Sequence, residues 1–370
     1  MSDLFPTAAS PPLVSALLRT QPEDFVVSEE LGFPLTGSGE HVWLRVRKRG
    51  FNTDQVAGHL ARRAGVSRRN VSYSGMKDRH AVTEQWFSVW LPRAEVANWQ
   101  DGMPEGVEVI EVTRHSRKLQ RGAHRSNRFI ITLRECAGDA ALAAQRLAEI
   151  ARDGVPNYFG EQRFGRDGDN VAHAEAMFAG QEEARDKHRR GIYLSAARSF
   201  LFNLVLARRV TDGNWNRILP GEALMLDGKN SYFIADGIKA RAAGQGRPDC
   251  GFADETDDTL CERLERHDIH PSGPLWGEGE LPSRGEARAL EEGIVSEHRP
   301  LADGLAAAGL RQERRALRLI PAGLSHQWLD PATLRLEFSL ARGCYATTVL
   351  REVANYRNAA GQSGAGDSGD

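Results

Sequence analysis

Along this chain of 370 residues, apolar and polar positions alternate with period two over several short runs and with a helical period over fewer, longer ones. Over 41–46, Val42, Leu44 and Val46 alternate with Trp43 and Arg45, which predicts a strand, and 25–31 reads the same way. A helix follows, capped by Asn52 or Thr53, with Val56, Leu60 and Ala64 as its apolar stripe and Gly65 placed to end it. Short strands are predicted over 71–74 and 86–91, so the residues between them form a loop held at both ends. A further strand over 129–133 and a helix over 140–152 complete this section. Gly154, Val155 and Pro156 mark a boundary, beyond which Gly-rich and acidic loops surround one strong helix over 194–210. Near the end, Leu334, Leu336 and Phe338 alternate with Arg335, Glu337 and Ser339, and 347–357 reads as an amphipathic helix.

Strand, turn and helix at the end look like the missing part of the first section. The expected fold class is therefore α+β: a discontinuous core over 1–155 and 314–357, interrupted by an inserted domain over 156–313. A tail over 358–370 carries almost no apolar content and is expected to be disordered. At 370 residues the chain has room for two domains.

A net charge of −2 would by itself speak against a polyanion partner, but the mean hides a division. From Glu40 to His80 there are ten Lys or Arg against three acids, and from Arg114 to Arg134 seven against none, whereas 251–300 holds five Arg against thirteen Asp or Glu. Two basic runs flanking one loop point to a nucleic-acid site. The four cysteines, Cys136, Cys250, Cys261 and Cys344, form no C-x-x-C pair and are expected to be free thiols in a reducing compartment. The first residues lack a charged leader and an apolar core, and no apolar run is long enough to span a bilayer, so a cytoplasmic protein without a membrane partner is expected. His59, His80 and His124 lack a ligand spacing, and no metal is assigned.

The loop that the basic runs flank reads Ser74-Gly75-Met76-Lys77-Asp78-Arg79-His80-Ala81-Val82-Thr83-Glu84-Gln85-Trp86. Asp78 is a single carboxylate among cations, a setting that favours the ionised form and suits a nucleophile or a base rather than a proton donor. The segment resembles the G-x-K-D-x-x-A-x-T-x-Q signature of the TruD family of tRNA pseudouridine synthases through Gly75, Lys77, Asp78, Ala81, Thr83 and Gln85. Five further blocks follow the family's order: Pro22 to Phe25, Arg117 through Gly122 to Asn127 and Phe129, Asn157 to Gly165, Leu194 to Asn203, and Tyr345 to Glu352. Two departures are His115-Ser116-Arg117-Lys118 for the family's H-K-R-K run and Ala341-Arg342-Gly343-Cys344 for a common L-P-x-G-S form.

The resemblance implies a mixed-sheet pseudouridine synthase core carrying an inserted α/β TRUD domain. It implies conversion of a uridine in tRNA, at position 13 of the D stem, with tRNA as partner and no cofactor. That reaction breaks the N1–C1′ bond, turns the base and joins C5 to C1′. It needs one ionised carboxylate, a pocket for the loose base, and extraction of the nucleotide from its stack. Asp78 meets the first need, by adding to C1′ or by removing the 2′ proton. For the pocket the family implies Phe25, Asn127, Phe129 and Phe338. Strand alternation puts Asn127 and Phe129 on one face, while Phe25 and Phe338 also fit a core. Arg19 and Lys77 are the candidate cationic partners of Asp78. Glu84, the nearest second carboxylate, is expected to serve structure. A monomer is expected. The rival reading is an RNA-binding or RNA-folding protein without catalysis, which would have no use for Asp78 beside Gly75, Lys77 and Asn127. A nucleoside hydrolase would need an acidic calcium-binding cluster that the sequence lacks.

Overall fold

The structure is a computed structural model and describes residues 4–9, 12, 14–92, 95–165, 168–235 and 255–359. Its first section runs β1 (Val14–Leu18), β2 (Phe25–Leu31), β3 (His41–Arg49), α1 (Thr53–Arg63), β4 (Val71–Tyr73), β5 (Val82–Trp90), β6 (Val107–His115), β7 (His124–Gly138) and α2 (Ala140–Asp153). Next come β8 (Val155–Pro156), α3 (Asp169–Phe178), α4 (Lys187–Thr211), β9 (Ala223–Leu226), β10 (Tyr232–Ile234), α5 (Glu255–Glu265), β11 (Ile269–Leu275), α6 (Gly285–Glu297), α7 (Arg299–Ala307), β12 (Glu313–Ala316) and β13 (Arg318–Leu319). The described chain closes with β14 (Ala322–Asp330), β15 (Thr333–Ala341), α8 (Ala346–Val353) and β16 (Asn355–Asn358).

Contacts divide the chain into two compact units. One is built on Pro12–Leu147, Pro321–Gly343 and the chain from Val353; the other on the chain up to Pro11, Ala148–Ile320 and Cys344–Glu352.

A ten-stranded sheet organises the first unit, with β14-β15-β7-β2-β5-β3-β6 in order, β4 on β5, and β1 between β7 and β16. It is mixed: β2 runs parallel to β5 and β1 parallel to β16, while the other pairs are antiparallel. β7 serves as the spine, because its fifteen residues pair with β15, β2 and β1 in turn. The register slips where β7 meets β1, and there Glu135 takes a φ of 50°. One extra residue on one strand bends it, as a bulge does.

α1 lies on this sheet because Thr53, Val56, Ala57, Leu60 and Ala61 fall on one helical face and are all buried. They pack with Val42, Leu44, Val46, Phe87 and Val89 from the strands. The helix stops as its sequence indicates. Gly65 sits at φ +63°, its amide donates to the Arg62 carbonyl, and the Val66 amide reaches back to the Ala61 carbonyl. Both orphaned carbonyls are thereby satisfied, in the pattern glycine makes easy.

The second unit packs around α4, whose buried residues include Leu201, Phe202, Val205 and Leu206, joined by Phe164, Tyr158, Leu301 and Leu305. Its larger sheet runs β10-β9-β11-β12.

Two expectations change. The predicted helix over 347–357 ends at Val353, and Asn355–Asn358 is a strand paired with β1, Ser15 facing Asn355 and Leu18 facing Asn358. Pairing with a strand some 340 residues earlier in the chain decides this, and helical periodicity in one short window does not sense it. The cysteines also differ from expectation: Cys136 and Cys344 are free, but Cys261 is disulfide-bonded. The expected tail lies outside the described residues from 360 onward. No helix among the described residues is long and apolar enough to cross a membrane.

Candidate active site

Asp78 lies on the loop between β4 and β5, two strands that pair with each other from Val71–Val89 to Tyr73–Phe87. Buried groups beneath the loop fasten its backbone. The Lys77 amide donates to Thr53 Oγ1 at 2.9 Å, Thr53 Oγ1 donates to Gln85 Oε1 at 2.9 Å, and Gln85 Nε2 donates to the Gly75 carbonyl at 3.1 Å. From β3, Lys48 Nζ donates to the carbonyls of Asp78 and Phe51, each at 2.8 Å. Lys48 is fully buried. Burial pushes its ammonium down to about 8, against the opposing pull of the Asp78 charge. A polar group placed this deep is retained only with its hydrogen bonds made, and here those bonds go to the loop.

The Asp78 carboxylate has two partners of different kinds. Oδ1 accepts from the His80 amide at 2.9 Å, which closes a local turn, and Oδ2 meets Arg19 Nη2 at 2.9 Å. Its side chain remains 31% exposed while that of Arg19 is 9% exposed, so the carboxylate is anchored yet reachable. Arg19 follows β1 at φ 57°, a left-handed conformation that side chains rarely adopt. Its guanidinium carbon lies 4.1 Å from the centre of the Phe25 ring, a cation–π stack that fixes the plane of the fork. Phe25 in turn follows the Pro22-Glu23-Asp24 turn. There Asp24 is buried, accepts from the Gln21 amide, and takes Arg134 Nε at 2.8 Å. That explains the acidic residue before Phe25.

Phe25, Phe129 and Phe338 come together across three strands. Phe129 faces Phe338 in the β7–β15 register, and the rings stack with centres 5.6 Å apart; Phe25 meets Phe129 edge-on at 6.1 Å. All three are buried. Asn127 lies two residues before Phe129 on β7, on the same face, opposite Glu29 of β2.

Lys77 takes a different place from the one expected. Its ammonium pairs with Glu29 Oε1 at 2.7 Å, and the other Glu29 oxygen accepts from the Trp86 amide at 3.0 Å. The cation at Asp78 is Arg19. Adjacent side chains on an extended loop point apart, and the buried Glu29 carboxylate requires a counter-charge. Beside this pair, Asn127 Nδ2 lies 3.3 Å from His124 Nε2, and His124 Nδ1 bonds Ser74 Oγ.

Glu84 is tied up on β5, accepting from Arg45 at 2.6 Å and from Arg47 at 2.7 Å. Burial alone would raise its carboxyl, but the hydrogen bond from Arg47 and the charges of Arg45 and Arg47 outweigh this and hold it below the ordinary carboxylate range. Such a group is a poor proton donor. Arg117, Lys118 and Arg121 are exposed on the segment entering β7, and Arg125 is exposed at the start of the strand itself. Among the described residues no group of three or more His, Cys, Asp or Glu is placed to hold a metal ion.

The remaining sequence blocks meet in the second unit and form joints rather than a reactive site. Asn203 of α4 bonds both the amide and the carbonyl of Phe159, at 2.9 and 3.0 Å, and Arg163 donates to Ser195 Oγ and the Tyr345 hydroxyl at 2.7 and 2.8 Å. Glu29, Lys48, Thr53, Ser74 and His124 escaped the sequence reading as contributors. A polar residue on the inward phase of an apolar strand, as Glu29 is between Val27 and Leu31, was the one signal available.

Comparison with known proteins bears on the family and the fold. A family model described as tRNA pseudouridine synthase D (TruD) matches residues 7–184 and 170–353. The tRNA pseudouridine synthase D of Nitrosococcus oceani is 49% identical over 356 residues, covering 95% of this chain and 94% of the relative. That of Xanthomonas campestris pv. campestris is 48% identical over 372 residues, covering 97% and 96%. A crystal structure described as tRNA pseudouridine synthase D from Methanosarcina mazei has the same fold, with a TM-score of 0.73 over 96% of this chain and 98% of that one at 20% identity. With a family model matched across both halves and near-half identity sustained over almost the whole length, the chain belongs to the TruD family of tRNA pseudouridine synthases.

Proposed function

We propose that this protein converts uridine to pseudouridine in tRNA, at position 13 of the D stem, with Asp78 as the ionised carboxylate that the reaction requires. The observation that carries this reading is the pairing of a partly exposed Asp78 with Arg19 at 2.9 Å, beside a face of three aromatic rings. The reaction is an isomerisation within one nucleotide, so it draws on no oxidant, donor or metal. The carboxylate adds to C1′ or takes the 2′ proton; both routes need an anion fixed in direction, which Arg19 and the His80 amide supply. The uridine must leave its stack to reach Asp78. The Phe25, Phe129 and Phe338 cluster would then hold the detached base by stacking while it turns, a contact worth roughly 1–3 kcal/mol per base. The exposed bases before β7 would take the RNA backbone.

In this reading residues 156–313 are the inserted TRUD domain, the protein works as a monomer, and its place is the cytoplasm, where its substrate is. The test is incubation of the purified protein with unmodified tRNA transcripts, followed by position-resolved mapping of pseudouridine. Pseudouridine at position 13 supports the assignment. Pseudouridine elsewhere would retain the activity and change the target, and tight binding with no pseudouridine would leave only an RNA-binding protein.

A further inference from the structure

Three sequence blocks that the Asp78 site does not use, Asn157 to Gly165, Leu194 to Asn203 and the one opening at Tyr345, meet around the ring of Phe159 within the second unit. That ring is fixed. Asn203 bonds the Phe159 amide and carbonyl, and the rings of Phe202 and Tyr345 meet it edge-on with centres 5.5 and 6.5 Å away. Two guanidinium groups lie over it, Arg315 with its carbon 4.1 Å from the ring centre and Arg163 at 5.5 Å. Stacking on an aromatic face sets the plane of such a fork and leaves its N–H edge to donate.

The groups that hold these two forks are neutral. Arg163 Nη1 donates to Ser195 Oγ at 2.7 Å and Nη2 to the Tyr345 hydroxyl at 2.8 Å, and Arg163 makes no ion pair among the described residues. Arg315 Nη2 donates to Asn157 Oδ1 at 2.7 Å, while Asn157 Nδ2 donates to the Ala316 carbonyl at 2.8 Å, so partners at both ends assign that amide. Burial holds the Arg315 guanidinium below the ordinary arginine range; Cys344 and Tyr345 oppose this and the Arg163 charge reinforces it. The acid two residues before each arginine, Glu161 or Glu313, is exposed, and Glu313 pairs with Arg198 at 3.1 Å. Like charges gathered by neutral acceptors repel, and an anion between them relieves that cost. Phe159, Arg163, Ser195, Arg315 and Tyr345 are all partly exposed, so an anion has access.

We propose that Arg163 and Arg315 hold one phosphodiester of the tRNA backbone on the second unit. The inference rests on the synthase reading above, which supplies tRNA as the polyanion. Guanidinium N–H donors match the two non-bridging oxygens of a phosphodiester in a way that a lysine ammonium does not. A phosphate contact positions RNA without reading its sequence, so this site governs affinity and not the chemical step.

The experiment compares wild type, Arg163→Gln and Arg163→Lys by titration with a tRNA transcript at several salt concentrations. Melting temperature and the single-turnover rate at saturating transcript are measured alongside, and melting is repeated with inorganic phosphate at constant ionic strength. Arg163→Gln removes the charge. Its affinity per folded molecule should fall on the order of tenfold, and the slope of log K against log salt should shrink by about 1. The rate at saturation should stay within about twofold of wild type. Arg163→Lys should restore the slope and recover only part of the affinity. An unchanged slope in Arg163→Gln, with inorganic phosphate stabilising wild type and not the variant, would replace the backbone by free phosphate and overturn the proposal. Lowered melting with unchanged affinity per folded molecule would make the cluster a joint only and would overturn it too, with the synthase reading intact. A wild type that forms no pseudouridine, while affinity still falls in Arg163→Gln, would overturn the synthase reading and support the site.

Discussion

Arg19 holds Asp78 by one oxygen at 2.9 Å while its guanidinium lies 4.1 Å over the ring of Phe25. One side chain thus orients the carboxylate and ties it to the aromatic face, and it does so from a left-handed backbone position immediately after β1. Replacing Arg19 by Lys keeps the charge and loses the planar fork. The single-turnover rate should fall about tenfold to a hundredfold, equivalent to about 1.4–2.7 kcal/mol, with tRNA affinity nearly unchanged. Because glycine is at ease at this φ, Arg19→Gly serves as the strain-free deletion, and its rate should be lower still. A Lys variant at the wild-type rate would show that charge alone suffices.

Lys48 fastens the Asp78 loop from below, so Lys48→Met leaves the carbonyls of Asp78 and Phe51 without that donor. Both rate and melting temperature should drop. The pH dependence has a definite sign. With the folded group at about 8 and an ordinary lysine at 10.5, the unfolded chain binds more protons between those values. Wild-type stability therefore gains with rising pH across that window, by at most about 3 kcal/mol. Melting curves of both proteins from pH 8 to 10 should show the gap widening in favour of wild type. A gap independent of pH would mean that Lys48 is not depressed.

Phe129 sits between Phe25 and Phe338 and is buried, so Phe129→Ala should cost about 3–5 kcal/mol of stability through the cavity it leaves. The rate per folded molecule should also fall by on the order of tenfold or more, since the ring is assigned to the flipped base. Lowered melting with a normal rate per folded molecule would make Phe129 a core residue only.

Arg117 and Lys118 are exposed before β7. Replacing both with Ala should reduce the slope of log K against log salt by up to about 2. An unchanged slope, measured by titration at several salt concentrations, would move the RNA track elsewhere.

What was legible in the sequence follows from range. The β2 and β3 strands, α1 and the loop around Asp78 are written in local alternation, caps and turns, and the structure keeps them nearly as read. The assembly of Phe25, Asn127, Phe129 and Phe338 was inferred from resemblance to a family, because the residues come from strands that pair only in the folded sheet. The groups that hold the loop were missed for the same reason. Lys48 looks like one cation in a basic strand, and only its burial under the Phe51 and Asp78 carbonyls reveals its task. Asn355–Asn358 continues a helical pattern and becomes a strand through pairing with Val14–Leu18. Lys77, adjacent to Asp78 in sequence, is drawn away by Glu29.

The most direct test of the account is the single-turnover rate of Asp78→Asn on a tRNA transcript, measured with its affinity and melting temperature. The amide keeps the shape and one acceptor for the His80 amide, and it removes the anion that the chemistry requires. The account predicts no detectable pseudouridine, transcript binding within a fewfold of wild type, and a folded protein. Substantial turnover by the purified Asp78→Asn variant would contradict it.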